Sequence, residues 1–217
     1  MYRTVSLNNI CLLFIIGLFS CGENKPARQL PFYNSPDFTP TFRTGKKEIP
    51  LQITHTIAPF SFTNQYGNPI TQKVVDEKIH VANFIFTKCG SICPIMTRHM
   101  KLVDQAFKND PGVVLLSYSV TPWIDSVRRL KKYVENNEIT SSNWHFLTGT
   151  KSDIYTLARR SYFAEEALGF TKDSTEFLHT EHILLVDKKR RIRGIYNGTL
   201  QLEIEQLIND IKSLKNE

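Results

Sequence analysis

Two cysteines, Cys89 and Cys93, stand in the stretch FTKCGSICP (86–94), directly after the apolar run VANFI (81–85). Residues at i and i+4 share a face of a helix or of its first turn, so both sulfurs can point the same way. Four readings of the pair are open: a structural disulfide, a redox couple, a metal clamp, or coincidence. A helix N-terminus here would matter, because its unpaired N–H groups favour anions and lower thiol pKa values. Pro94 suits such a first turn, since it lacks an N–H that would be left unpaired there.

The remaining cysteines narrow the choice. The chain holds four in all. Arg3 followed by ICLLFIIGLF (10–19) reads as a signal peptide, and its apolar run is shorter than the roughly 20 residues that span a bilayer. Leu18-Phe19-Ser20-Cys21 resembles the bacterial lipobox, whose cysteine becomes the lipidated first residue of the mature chain. On this reading residues 1–20 are a lipoprotein signal peptide, Cys21 is the lipidation site and Cys11 is removed. Cys89 and Cys93 are then left to each other or to a ligand, in a compartment outside the cytoplasm where disulfides persist.

Two sulfurs make an incomplete metal site. Softness favours copper(I), whereas zinc usually asks for four ligands. The chain has six histidines. His55 and His80 fall near strand starts, His145 lies in a Trp-His-Phe strand, and His99 shares a helix with Cys93 but is turned away. His179 and His182 flank the entry to a late strand in LHTEH (178–182).

The elements that must position these groups follow from the apolar pattern. At 217 residues and 41% hydrophobic, the chain suits one domain whose core does not depend on disulfides. Residues 21–50, with five prolines at 26, 31, 36, 40 and 50, read as a lipidated N-terminus and linker, its later part packed on the fold. The domain occupies 51–217. A β-hairpin is predicted over 57–71 around the NQYGN turn, strands over 79–87 and 113–120, and a helix over 94–109 with Met96, Met100, Val103 and Phe107 on one face. Asp125 is the expected cap of the next helix. A strand at 144–149, a helix at 152–162, strands at 182–187 and 192–196, and a helix at 200–214 complete the order. That order predicts an α/β layer fold, a mixed sheet with helices on its faces, and sets the cysteines at the carboxyl end of a strand, where sites in open α/β folds cluster.

The net charge of +6 is spread over Lys46-Lys47, Arg128-Arg129, Lys131-Lys132 and the run 188–191, which reads as solvated turns and helix faces. No zinc-finger or helix-turn-helix pattern accompanies it, so nucleic acid is not an expected partner. Such a surface is compatible with anionic lipid or an acidic protein.

Cys89-x-x-x-Cys93-Pro94 after FIFT (84–87), with Met96 following, resembles the Sco (SenC) family of thioredoxin-like copper proteins. FSFTNQYG (60–67), SVTP (119–122) with Asp125-Ser126 and LKKY (130–133), FLTG (146–149) and His179-Thr180 resemble further family signatures, over roughly 50–215. The resemblance implies a thioredoxin-like mixed sheet flanked by helices with an added N-terminal β-hairpin. It also implies copper, as Cu(I) or Cu(II), held by Cys89, Cys93 and His179. The implied role is that of a membrane-tethered chaperone delivering copper to, or redox-preparing, the CuA centre of a respiratory cytochrome c oxidase. The partners would be the copper-bearing oxidase subunit and other copper or thiol-redox proteins. The place would be the periplasmic side of a bacterial membrane, through the lipid on Cys21.

Three positions depart from the family pattern: Thr121 and Leu178 stand where aspartates are common, and Gly90 where proline is common. Glu181 and Asp125 are the carboxylates available to replace those lost, and His182 is the rival ligand. The same residues also allow a thiol–disulfide oxidoreductase, with Cys89 and Cys93 as its redox pair and no stored copper, although such enzymes usually space the pair Cys-x-x-Cys. A copper-sensing or redox-signalling module is a third reading.

Overall fold

The computed structural model describes residues 29–43, 49–164 and 180–217; the stretch 1–20 expected to be a signal peptide, Cys21 and His179 lie outside them. In chain order the strands are β1 (Phe32–Tyr33), β2 (Pro40–Thr41), β3 (Ser61–Asn64), β4 (Pro69–Thr71), β5 (Ile79–Ile85), β6 (Val113–Ser119), β7 (Trp144–Thr148), β8 (His182–Val186) and β9 (Ile192–Asn197). The helices are α1 (Ile49–Gln52), α2 (Ile92–Phe107), α3 (Val127–Asn136), α4 (Lys151–Thr156), which runs on into a π-helical turn over Leu157–Ser161, and α5 (Gln201–Lys215).

Among the described residues all nine strands join one sheet in the order β2-β1-β9-β8-β5-β6-β7-β3-β4. The three central strands β5, β6 and β7 are parallel; β8 and β9 add antiparallel on one side and the β3–β4 hairpin on the other. Every residue of β5 and β6 is buried, because helices cover both faces, and this is why both segments read as unbroken apolar runs. Polar side chains within them link the strands: Trp144 Nε1 donates to Ser117 Oγ (2.8 Å), which donates to Asn83 Oδ1 (2.6 Å), a chain across β7, β6 and β5, while Asn83 Nδ2 and His80 Nδ1 are buried without a hydrogen-bond partner.

Odd-numbered residues of β5 (Ile79, Val81, Ile85) pack under α2, α3 and α5, with Met96, Met100, Val103 and Phe107 of α2 in one cluster. Even-numbered residues (Ala82, Phe84) pack against Tyr155, Leu157 and Tyr162 from α4 and its extension. Each fully buried side chain of this kind contributes about 1.5–3 kcal/mol, which holds α2, and the cysteine it carries, on the sheet. The hairpin turn is organised by Asn64, whose Oδ1 accepts from the N–H groups of Tyr66 and Asn68 (both 3.0 Å), and by Gly67 at φ +82°, a left-handed conformation costly to other residues.

Two expectations are corrected at helix ends. Ser126, not Asp125, caps α3, accepting from Arg129 N–H at 3.3 Å, because the Asp125 carboxylate is taken up by other donors. The helix expected to begin at Ser152 begins at Lys151, with Thr150 as its cap. The hairpin β1–β2 is additional to the elements expected from sequence. It is fastened by Arg193, only 2% exposed, whose guanidinium donates to the carbonyls of Leu30 (2.9 Å) and Pro31 (3.0 Å) and to Glu217 (2.7 and 3.0 Å). Glu217 is 40% exposed and Asp187 keeps Arg191, so the loss on removing Arg193 falls mainly on the carbonyls it serves, and leaving a buried acceptor without its donor costs about 1–3 kcal/mol. Arg193→Ala is therefore expected to lower the unfolding free energy by about that amount and to expose 29–43 to protease, checked by urea denaturation and limited proteolysis.

Candidate metal and redox site

Beyond Ile85 the chain makes a turn closed by the Cys89 N–H donating to the Phe86 carbonyl (3.0 Å), then enters α2 at Ile92. Cys89 thus sits in the turn and Cys93 in the first turn of the helix, which starts two residues earlier than its periodicity suggests. Ser91 occupies the N-cap position without a side-chain capping bond. The leading N–H groups are left for another acceptor. That acceptor is the Cys89 sulfur, which receives main-chain hydrogen bonds from Cys93 and Ser91 and lies 3.7 Å from Ser91 Oγ.

The two thiols differ in kind. Burial, the largest influence on Cys89, pushes its pKa up, but the main-chain donors of Cys93 and Ser91 and the side chains of both outweigh it and bring it down to about 7. Cys93 is buried at 7% exposed. Burial pushes its thiol up to about 12; a main-chain hydrogen bond from Phe86 opposes this, while Cys89 and the negative charge of Asp125 reinforce it. The Cys93 thiol donates a hydrogen bond to the Cys89 sulfur, and no disulfide joins the two. A half-exposed thiolate beside a buried thiol can attack, chelate or close into a ring.

Beneath the turn lies a polar cluster that sequence reasoning did not assemble. Asp125, wholly buried, accepts from the Thr87 N–H (3.3 Å), Thr87 Oγ1 (2.5 Å), Ser119 Oγ (2.7 Å) and Thr121 Oγ1 (3.0 Å). Arg129 Nε donates to Thr87 Oγ1 (2.8 Å) and stands 3.6 Å from Asp125 Oδ1. The parallel register, Ile85 opposite Ser119, brings the ends of β5 and β6 side by side, so a carboxylate after β6 can grip a threonine after β5. Tyr133 on α3 completes the surround: its hydroxyl pairs with Thr97 Oγ1 (2.7 Å), and burial first, then the charges of Cys93, Cys89 and Asp125, raise its pKa. Thr121, one of the departures from the family pattern, is part of this cluster, so Asp125 supplies a carboxylate at the site despite the missing aspartate. A Cβ on Gly90 would meet nothing within 4 Å; nothing nearby requires glycine there.

The histidines separate sharply. His55 Nε2 pairs with the Ser161 carbonyl (2.8 Å), His80 Nε2 with Tyr162 Oη (3.1 Å), and His99 Nδ1 with the Gly198 carbonyl (2.8 Å). Burial holds the His80 pKa down to about 3, with Arg190 adding to the effect; burial, then Lys78, lowers that of half-buried His145. His182, the rival ligand, sets its ring edge-on to Phe38 at 5.7 Å, on the face covered by α4 rather than that of α2. Glu181 accepts from Asn197 Nδ2 (2.9 Å). Among the described residues no His, Asp or Glu joins the two sulfurs in a group of three. His179 lies outside the described residues. Its neighbour Thr180 precedes β8, which runs antiparallel to β5 with Asn83 opposite Ile183, so this entry to β8 stands at the same end of the sheet as the cysteine turn.

The chain is similar to known proteins over most of the described domain. The SCO1/SenC family model matches residues 50–216. A SCO1/SenC family lipoprotein from Bacillus anthracis is 29% identical, superposes with a TM-score of 0.64 and covers 74% of this chain and 95% of its own. BsSco, a member of the Sco family of cytochrome c oxidase assembly proteins in which a disulfide switch was identified, is 31% identical with a TM-score of 0.63 over 75% of this chain and 94% of its own. ScoI of Bradyrhizobium japonicum, solved with copper bound, is 25% identical with a TM-score of 0.58 over 73% and 99%. The expected thioredoxin-like fold is that of these structures.

The asymmetry of the thiols has a direct readout. Alkylation of the reduced protein should fall on Cys89, rising with pH through about 7 as its thiolate forms and then levelling, while Cys93 stays protonated and unlabelled. Peptide mapping after brief iodoacetamide treatment between acid and mildly alkaline pH measures both. With its two-sulfur motif, its sheet and its matched length, the chain belongs to the SCO1/SenC family.

Proposed function

We propose that this protein is a membrane-tethered copper chaperone that delivers copper to, or redox-prepares, the dinuclear copper centre of a respiratory cytochrome c oxidase. The observation that carries the proposal is the joint presentation of Cys89 and Cys93 at the head of α2, one sulfur already biased towards thiolate. Paired soft sulfurs fit copper(I), and an imidazole suits copper(II). His179 is the nitrogen donor that the family resemblance assigns. It is supported by the position of Thr180 at the cysteine end of the sheet and by the engagement of His182 with Phe38 on the other face.

Metal occupancy and redox state are coupled in this reading. A partner disulfide that takes two electrons from the two thiolates, and is itself reduced to two thiols, closes the Cys89–Cys93 disulfide and withdraws both donors, so oxidation releases copper. Anchoring through Cys21 confines delivery to a membrane. The lipoprotein relative from Bacillus anthracis supports that anchor, and no helix among the described residues is long and apolar enough to cross a bilayer.

The thiol asymmetry favours a second reading, reduction of partner cysteines. The Cys89 thiolate would attack a partner disulfide, expelling one partner thiolate and forming a mixed disulfide. Cys93, losing its proton, would then attack Cys89 and free the second partner sulfur.

Anaerobic titration of the reduced protein with copper(I) and copper(II) separates the two. Cys89→Ser or Cys93→Ser should abolish binding, and His179→Ala should weaken it by at least about tenfold, since losing even a group that only supports a metal ligand costs about 10–100-fold. Unchanged affinity in His179→Ala moves the third ligand elsewhere. Turnover of a disulfide substrate by metal-free protein, unaffected by His179→Ala, supports the reductase.

A further inference from the structure

The end of the domain opposite the cysteines carries a surface that the copper and thiol chemistry does not use. A cleft of about 620 Å³ opens there between the β8–β9 turn, the end of α5 and the N-terminal segment. Arg191 and Arg193 stack on the Phe32 ring, 4.8 and 4.0 Å from its centroid, and are neutralised by Asp187 and Glu217. Arg43, Lys188 and Lys189 also line the cleft, and all three are exposed. Among the described residues they form no ion pair, so their charge projects outward. Next in sequence to the lining residues Arg43 and Pro50 stand Phe42 and Leu51, 59% and 80% exposed. Uncommitted cations flanked by exposed apolar side chains are the chemistry of a surface that meets a lipid interface.

The covalent chain points the same way. Gln29 lines this cleft and is eight residues beyond Cys21, so the two are at most about 29 Å apart. We infer that this basic end is a docking surface for anionic phospholipid headgroups, such as phosphatidylglycerol, and that it seats the domain on its membrane. The tether argument rests on lipidation of Cys21; the charge and apolar exposure stand without it. Docking in this way turns the carboxyl end of β5 outward, with Cys89 about 20 Å further from the bilayer than the β8–β9 turn, the length of the strand. The thiols are then presented to a partner domain standing above the membrane.

The test uses the full chain extracted from membranes and mixed with vesicles of phosphatidylcholine alone or with phosphatidylglycerol. Brief amine acetylation read by mass spectrometry should show Lys188 and Lys189 protected only when phosphatidylglycerol is present and salt is low, with Lys88, beside Cys89, equally reactive throughout. K188E/K189E should weaken low-salt partitioning onto phosphatidylglycerol vesicles by at least about tenfold, since each basic residue near such a surface is worth a factor of several. Equal labelling of Lys188 and Lys189 on both vesicles, or partitioning untouched by the double variant, overturns the docking surface. Retention on phosphatidylcholine vesicles at high salt reports the lipid anchor separately. Loss of that retention with phosphatidylglycerol protection intact removes the anchor and leaves the docking surface standing.

Discussion

The site depends on one buried carboxylate. Asp125 is fully removed from water, and such a charge is tolerated only when donors replace its hydration. Here three hydroxyls and one main-chain N–H do so, drawn from Thr87, Ser119 and Thr121, with Arg129 adjacent. Because two of those donors belong to Thr87, satisfying Asp125 also fixes the start of the cysteine turn relative to β6 and α3. Hydrogen bonds to a charged acceptor are the stronger kind. The turn that carries Cys89 is therefore held at its root while its sulfur remains half exposed.

From that anchoring follows the difference between two chemically identical side chains. Only three residues lie between them, yet one meets the open end of a helix and the other the packed interior. The N–H groups that a capping side chain would have consumed are directed at Cys89 instead, which stabilises its anion. Cys93, on the inner side of α2, faces apolar packing and the field of Asp125, both of which favour the neutral thiol. An accessible thiolate backed by a buried thiol serves metal capture and disulfide exchange alike, so chaperone and reductase share the same geometry. Whether a nitrogen donor joins the sulfurs is what distinguishes them.

The sheet also gives the domain a direction. The cysteine turn, the entry to β8 and the head of α5 lie at one end, and the basic β8–β9 turn with the N-terminal segment lies at the other. Arg193 links that second end to the core by binding Leu30, Pro31 and Glu217 together, so the segment arriving from Cys21 is joined to the domain at a defined place.

Much of this was legible in residue order. The apolar runs of β5 and β6, the Met96–Phe107 face of α2, the hairpin around Asn64 and Gly67, and the cysteine pair after a buried strand are all local patterns, set by periodicity and turn chemistry over a few residues. The cap of α3 was misread because Asp125 and Ser126 are equally good caps locally, and only the donors around Asp125 decide between them. The Thr87–Asp125 link spans 38 residues and exists because β5 and β6 pair in parallel register; no short stretch encodes that register. The assignment of Arg193 to carbonyls more than 160 residues away and of His182 to Phe38 arises likewise from which sheet edge and which face each strand takes. Sequence alone determined which groups could do chemistry and the elements that carry them. Tertiary structure decided which of those groups share a face, a hydrogen bond or a field, because proximity and desolvation are properties of packing.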